Sequence, residues 1–144
     1  CGRGKMPGLA IVQTMDSDSP SIAMAATSDT VAFLDEELRH RHEAGLPPIS
    51  RMTRIVAQHE DLTACEQLID PVTESFRALA TDNRCDTLGP MPCPLARIRG
   101  RHRRETLLTA PTGEIMQQWL HRALHERVLS DQALSIDVDP ISLL

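Results

Sequence analysis

Cys85-Asp86-Thr87-Leu88-Gly89-Pro90-Met91-Pro92-Cys93-Pro94-Leu95-Ala96-Arg97-Ile98-Arg99-Gly100-Arg101-His102-Arg103-Arg104-Glu105-Thr106-Leu107-Leu108-Thr109 reads as two arms joined by a turn. Residues 85–98 are extended and carry Pro90, Pro92 and Pro94. A proline has no N–H to give a ladder, so this arm belongs at a sheet edge or outside the sheet. Gly100 supplies the turn, and Arg103 to Thr109 returns as a second strand. The prolines spell P-x-P-x-P rather than P-x-x-P, which makes a proline-motif ligand the weaker reading.

Outward from this hairpin, the pattern repeats. Met52 to Gln58 reads as a strand, and Asp61 to Leu79 as a helix whose apolar stripe is Leu62, Cys65, Leu68, Ile69, Val72, Phe76 and Leu79. Pro71 is expected to kink or split that helix. After the hairpin, Thr112 caps a second helix with Glu114 in its first turn and Ile115, Met116, Trp119, Leu120, Ala123, Leu124 and Val128 as its core face. Leu134 to Val138 closes the chain as a strand. The order strand, helix, strand, strand, helix, strand predicts an α+β fold of ferredoxin-like (βαββαβ) type, a four-stranded antiparallel sheet with two helices on one face. That architecture serves many functions and does not by itself name one.

Pro47-Pro48 marks a boundary, giving an N-terminal segment 1–48 and a domain 49–144. In the first segment, residues 1–8 are glycine-rich and basic, and Leu9-Ala10-Ile11-Val12-Gln13-Thr14 reads as a buried strand. A turn over Asp16 to Pro20 leads to a short helix over Ser21 to Ala26. A longer helix starts at Ser28 or Asp29, carries Val31, Leu34 and Leu38 as its stripe and ends at Gly45. Glu37 and Arg41 form an i, i+4 pair on it. The chain opens on Cys1 as though something precedes it.

The charge distribution is uneven. The chain has 15 Lys+Arg against 20 Asp+Glu; setting aside Arg97, Arg99, Arg101, Arg103 and Arg104 leaves 10 basic residues against 20 acidic ones. Five cations on one turn repel each other unless an anion neutralises them, and a polyphosphate backbone is the common partner. The plainer reading is a solvated charged turn. Strand alternation would place Arg97 and Arg99 on one side, with Arg101 and Arg103 opposite or adjacent, and Arg51 and Arg54 would extend the patch. With two Phe, one Trp and no Tyr, a platform for stacking several bases is disfavoured.

Other chemistry is sparse. The apolar runs are far shorter than the roughly 20 residues needed to span a bilayer, and no signal-peptide pattern opens the chain, so a soluble protein is expected. Cys1, Cys65, Cys85 and Cys93 make no C-x-x-C pair, as reduced thiols in the cytoplasm would. His121 and His125 are an i, i+4 pair with no identifiable further ligand, and His40 and His42 point to different sides of their helix. Asp137 and Asp139 place two carboxylates on one face of a strand, where a structural role outweighs metal binding or acid–base work. No G-x-S-x-G, H-E-x-x-H or G-x-x-x-x-G-K-[ST] occurs.

Four motifs in order, Glu37-Leu38-x-x-Arg41, Pro47-Pro48-Ile49-Ser50-Arg51, Leu88-Gly89-Pro90-x-Pro92-x-Pro94-x-Ala96-Arg97-Ile98-Arg99-Gly100-Arg101 and Ser135-Ile136-Asp137-Val138-Asp139-Pro140-Ile141-Ser142-Leu143-Leu144, resemble the C-terminal part of the bacterial primosomal protein N′ family, superfamily 2 replication-restart DNA helicases. Gly2-Arg3-Gly4 resembles the end of helicase motif VI, Q-x-x-G-R-x-G-R, of which the last arginine, Arg3, remains. The resemblance implies ATP-dependent 3′-to-5′ unwinding by the whole protein and reloading of the replication machinery. It makes residues 1–48 the end of the second RecA-like lobe with a bridging helix, and residues 49–144 a DNA-binding domain. Arg3 would then reach the γ-phosphate from that lobe. Arg97, Arg99, Arg101, His102, Arg103 and Arg104 would contact DNA, forked or single-stranded, and single-strand-binding protein and other primosome proteins would be partners. ATP, magnesium and zinc are expected of the full-length family and none of them in this fragment, since the Walker motifs and zinc cysteines belong upstream. The family writes R-G-R-Y-R-W-Q where this chain has Arg99-Gly100-Arg101-His102-Arg103-Arg104-Glu105, so both aromatics are gone and phosphate charge must do more of the binding. A competing expectation is a protein-interaction module for the acidic tail of single-strand-binding protein, and a weaker one a ligand-sensing domain.

Overall fold

Six consecutive buried residues, Met52 to Ala57, put β1 (Arg51–His59) at the centre of a sheet covered on both faces. The computed structural model describes residues 8–9, 11–27, 29–80, 85–141 and 143. The chain divides into two compact units, Cys1–His40 and Arg41–Leu144. In the second, β2 (Asp86–Ile98), β3 (Arg101–Ala110) and β4 (Leu134–Val138) join β1 in the order β2-β3-β1-β4. Every pairing is antiparallel. The hairpin partners are adjacent and the first strand lies between the third and fourth, the ferredoxin-like arrangement expected from the βαββαβ order.

Register assigns the side chains to faces, because residues directly opposite in an antiparallel pair share a face. Ile55 opposes Thr106, Thr53 opposes Leu108, and Ala57 opposes Arg104. This face carries α3 (Leu62–Leu79) and α4 (Gly113–His125), whose Cys65, Ile69, Val72, Phe76, Met116, Trp119 and Ala123 pack on Ile55, Ala57, Leu108 and Ala110. The Phe76 and Trp119 rings meet edge to face at 5.3 Å, joining the two helices. A buried hydroxyl contact, Thr73 Oγ1 to Thr106 Oγ1 at 2.5 Å, fastens α3 to β3. Met52, Arg54, Val56, Glu105 and Leu107 lie on the far face and are also buried.

Local signals set the helix ends. Asp61 Oδ1 accepts from the Ala64 amide at 2.8 Å, and Thr112 Oγ1 accepts from Ile115 at 3.3 Å. Pro71 does not split α3: one helix runs from Leu62 to Leu79. Pro71 and Gln67, whose carbonyl loses the amide that Pro71 lacks, are both exposed, so water can take that place. Two residues of the predicted stripes stay exposed, Leu62 in the first turn of α3 and Leu124, which lies a third of a turn beyond the buried Ala123.

The first unit holds α1 (Pro20–Thr27) and most of α2 (Thr30–Glu43). Asp29 caps α2 through the Ala32 amide at 3.0 Å. Gly45, at φ 63°, ends it: Leu46 N–H returns to Arg41 O at 2.8 Å and Gly45 N–H to His42 O at 3.1 Å, a Schellman closure. The strand expected over Leu9 to Thr14 is not formed by its described residues, and Leu9, Ile11 and Val12 are exposed. A strand needs a neighbour for its amides, and no strand is described in this unit to supply one. The apolar stripe Val31, Leu34 and Leu38 is exposed too. Among the described residues, no helix is long and apolar enough to cross a membrane.

Candidate nucleic-acid interface

Ile98 pairs with Arg101, which leaves Arg99 and Gly100 as a two-residue turn. Their φ values are 49° and 84°, both left-handed, as the twist of a type I′ hairpin turn demands. Asn, Asp or Gly normally fills the first of these positions; here it is an arginine, held where a side chain with a Cβ is disfavoured. Behind the turn, Arg97 opposes His102, so these two share the helix face with Arg104, while Ile98, Arg101 and Arg103 lie on the far face. The expected sidedness holds for Arg97, which lies on the face opposite Arg101 and Arg103, and is revised for Arg99, which sits in the turn between them.

The arginines are not equally free. Arg97, Arg99 and Arg101 are exposed, whereas His102, Arg103 and Arg104 are half-buried. Arg97 Nε donates to Gly100 O at 3.3 Å, and Arg101 Nε stands 3.8 Å from Glu60 Oε1 with both side chains largely in solvent. Arg103 Nη1 donates to Leu95 O at 3.4 Å. Arg104 Nη1 meets Glu66 Oε1 of α3 at 3.0 Å, and its Nη2 reaches Pro90 O at 3.5 Å. The cluster is therefore not uncompensated, as its sequence implies: Glu66 neutralises Arg104, and Glu60 stands near Arg101. Chain distance hid these acids.

Arg51 and Arg54 do not extend the patch. Arg51 is at the opposite end of β1 and pairs with Asp139 at 3.1 Å. Arg54 is buried on the far face, with Nε and Nη2 both 2.6 Å from Glu105 Oε2. Burial opposes the Arg54 charge, but Glu105 and Cys93 together outweigh it and the guanidinium is held more firmly protonated than usual. Asp137 and Asp139 do not share a strand face either, because β4 ends at Val138 and Asp139 turns away at φ 52°. Among the described residues no group of three His, Cys, Asp or Glu side chains could hold a metal ion. Arg3 lies outside the described residues.

A family model described as the primosomal protein N C-terminal domain matches residues 42–141. The chain belongs to the primosomal protein N C-terminal domain family. Its similarity extends to replication restart protein PriA of Treponema pallidum, at 30% identity over 99% of this chain, and of Haemophilus influenzae, at 29% over 99%. The same protein of Bacillus subtilis is 27% identical over 99% of this chain. The chain spans 18 to 22% of the length of these relatives. Within the primosomal domain, the matched region takes in all four strands and both packed helices, hence the whole hairpin.

This primosomal domain also carries two buried free thiols, Cys65 and Cys93. Burial pushes Cys65 and Cys93 above the ordinary thiol range, and Glu105 beside Cys93 pushes the latter further. Such thiols stay protonated in the folded chain after unfolded ones have begun to ionise near pH 8.5, so the unfolded state binds fewer protons and stability falls as pH rises. The unfolding free energy from urea titrations is expected to drop between pH 8 and 10, with a slope of up to about 1.4 kcal/mol per pH unit for each thiol. The Cys65→Ala/Cys93→Ala variant should flatten that slope; an equal slope would assign it to other groups.

Proposed function

We propose that this chain is the DNA-holding part of a replication-restart helicase, gripping forked or single-stranded DNA through the phosphates while a motor elsewhere in the protein drives ATP-dependent 3′-to-5′ unwinding. The observation that carries this reading is the hairpin end, where Arg99 accepts a left-handed backbone at φ 49° between exposed Arg97 and Arg101. An arginine at a position suited to Asn or Gly costs about 1 kcal/mol or more, and a cation aimed into solvent is what that strain secures. Guanidinium groups fork onto phosphate oxygens, so three of them on one short loop suit a flexible polyphosphate strand. In the whole protein Arg3 would serve the motor, with ATP and magnesium bound upstream and zinc in a separate upstream site.

The test is binding of labelled forked and single-stranded DNA at 50 and 200 mM salt. Affinity is expected to fall at least tenfold between the two, by release of counterions. Arg99→Ala/Arg101→Ala should remove most of the binding at the lower salt. Binding that ignores salt, or that survives the double variant, would contradict a phosphate contact at this loop.

A second reading has its own support. Leu95 and Ile98 are exposed at 53% and 36% beside the same arginines, a pairing of apolar and basic groups that suits an acidic peptide with an apolar end, such as the tail of single-strand-binding protein. If that tail uses this surface, an unlabelled tail peptide displaces the DNA.

A further inference from the structure

Resting on the phosphate-binding reading of the hairpin, we infer that its five arginines divide in two: Arg97, Arg99 and Arg101 meet phosphate, while Arg103 and Arg104 are positioning residues that hold β2 in shape beneath them. The division starts from the register. Leu88 opposes Leu107 and Met91 opposes Glu105, so β2 takes three steps where β3 takes two. Pro92 opposes Arg104 and Arg97 opposes His102, so β2 then takes five steps against two. Gly89, Pro90 and the arch from Cys93 to Ala96 consequently have no partner in β3.

Carbonyls left over in this way need donors from elsewhere. Three arginines supply them. Arg77 of α3 donates to Gly89 O, Arg104 to Pro90 O and Arg103 to Leu95 O at the crown of the arch. Arg104 also spans to Glu66, and its side chain is only 20% exposed. To reach a phosphate it would have to abandon a half-buried carboxylate and release the first bulge. Arg101 faces no such demand, since Glu60 is 79% exposed and stands 3.8 Å away, beyond hydrogen-bond distance.

The count of phosphate contacts is measurable. For a single strand, three contacts give a slope of log K against log salt of about −2.1, and five give about −3.5. Between 50 and 200 mM salt these correspond to a loss of roughly 20-fold or of more than 100-fold. The experiment titrates the full chain into a labelled oligothymidylate over that range, for the wild type, Arg99→Gln, Arg101→Gln, Arg104→Gln and Arg104→Lys. The expected result is a wild-type slope near −2, made shallower by about 0.7 in Arg99→Gln and in Arg101→Gln. Arg104→Gln should weaken binding several-fold at every salt concentration with its slope unchanged. Arg104→Lys tests the same point if the glutamine variant does not fold: it keeps the charge but not the fork to Glu66 and Pro90, so it too should bind several-fold more weakly. A wild-type slope near −3.5, a shallower slope in Arg104→Gln, or full affinity in Arg104→Lys would make Arg104 a phosphate contact and overturn the division, leaving the hairpin a DNA site. Absence of salt-sensitive binding by the wild type would overturn the phosphate reading and this division together.

Discussion

Glu105→Ala is expected to lower the stability of the domain by about 3–5 kcal/mol, read as a shift in urea midpoint at pH 7. Arg54 and Glu105 are 4% and 3% exposed, and the two nitrogens that Arg54 turns toward Glu105 converge on one carboxylate oxygen. Removing the acid takes the Glu105 counter-charge from a guanidinium in the interior, and its desolvation is then opposed far less. Domains are stable by only about 5–15 kcal/mol, so this one substitution should populate the unfolded state. The pair itself need not be strongly stabilising, because much of its attraction is offset by taking both charges out of water. The double variant Arg54→Met/Glu105→Leu should therefore recover most of the loss. If Glu105→Ala cost under about 1 kcal/mol, other groups would be holding the Arg54 charge when Glu105 is gone.

Gly89→Ala should cost roughly 3 kcal/mol or more, for two reasons that add. Its φ of 116° lies in a region open to glycine and little else, and a Cβ there would stand 2.8 Å from the Glu105 carbonyl oxygen. That oxygen belongs to the backbone of β3 and cannot rotate aside. Gly45 and Gly100 also have positive φ, but a Cβ at either meets nothing within 4 Å. Alanine at those positions should cost only the left-handed backbone, about 1–2 kcal/mol. The three midpoints, measured side by side, separate conformational strain from collision. Equal losses at all three would mean that β2 can shift away from β3 at its first bulge.

The βαββαβ order was legible because punctuation is local. Asp61, Thr112 and Gly100 each act within three residues of themselves, and they bracket α3, α4 and the hairpin where expected. Prolines at alternate positions likewise announced an edge strand, and β2 is one. What escaped notice depends on distant partners. Nothing near Arg104 in the chain points to Glu66, and Arg54 resembles a surface cation until Glu105 is placed diagonally from it on β3. Glu105 carried a faint signal, a lone acid at the start of the apolar run Thr106-Leu107-Leu108. The bulges escaped because alternation reports which face a residue takes in a regular strand and carries no record of skipped partners. Leu9 to Thr14 failed in the opposite sense: a strand-like composition describes a segment's preference, and pairing needs a neighbour.

The rim of the sheet has a last consequence. Three prolines and two bulges leave the outer edge of β2 without the regular row of amides that another extended chain would need in order to zip onto it. The edge beside the cations is thus shut to recognition by added strand. Whatever docks there must be held by its charge and contour through the side chains of the hairpin, with no ladder to form on arrival or to unpick on leaving.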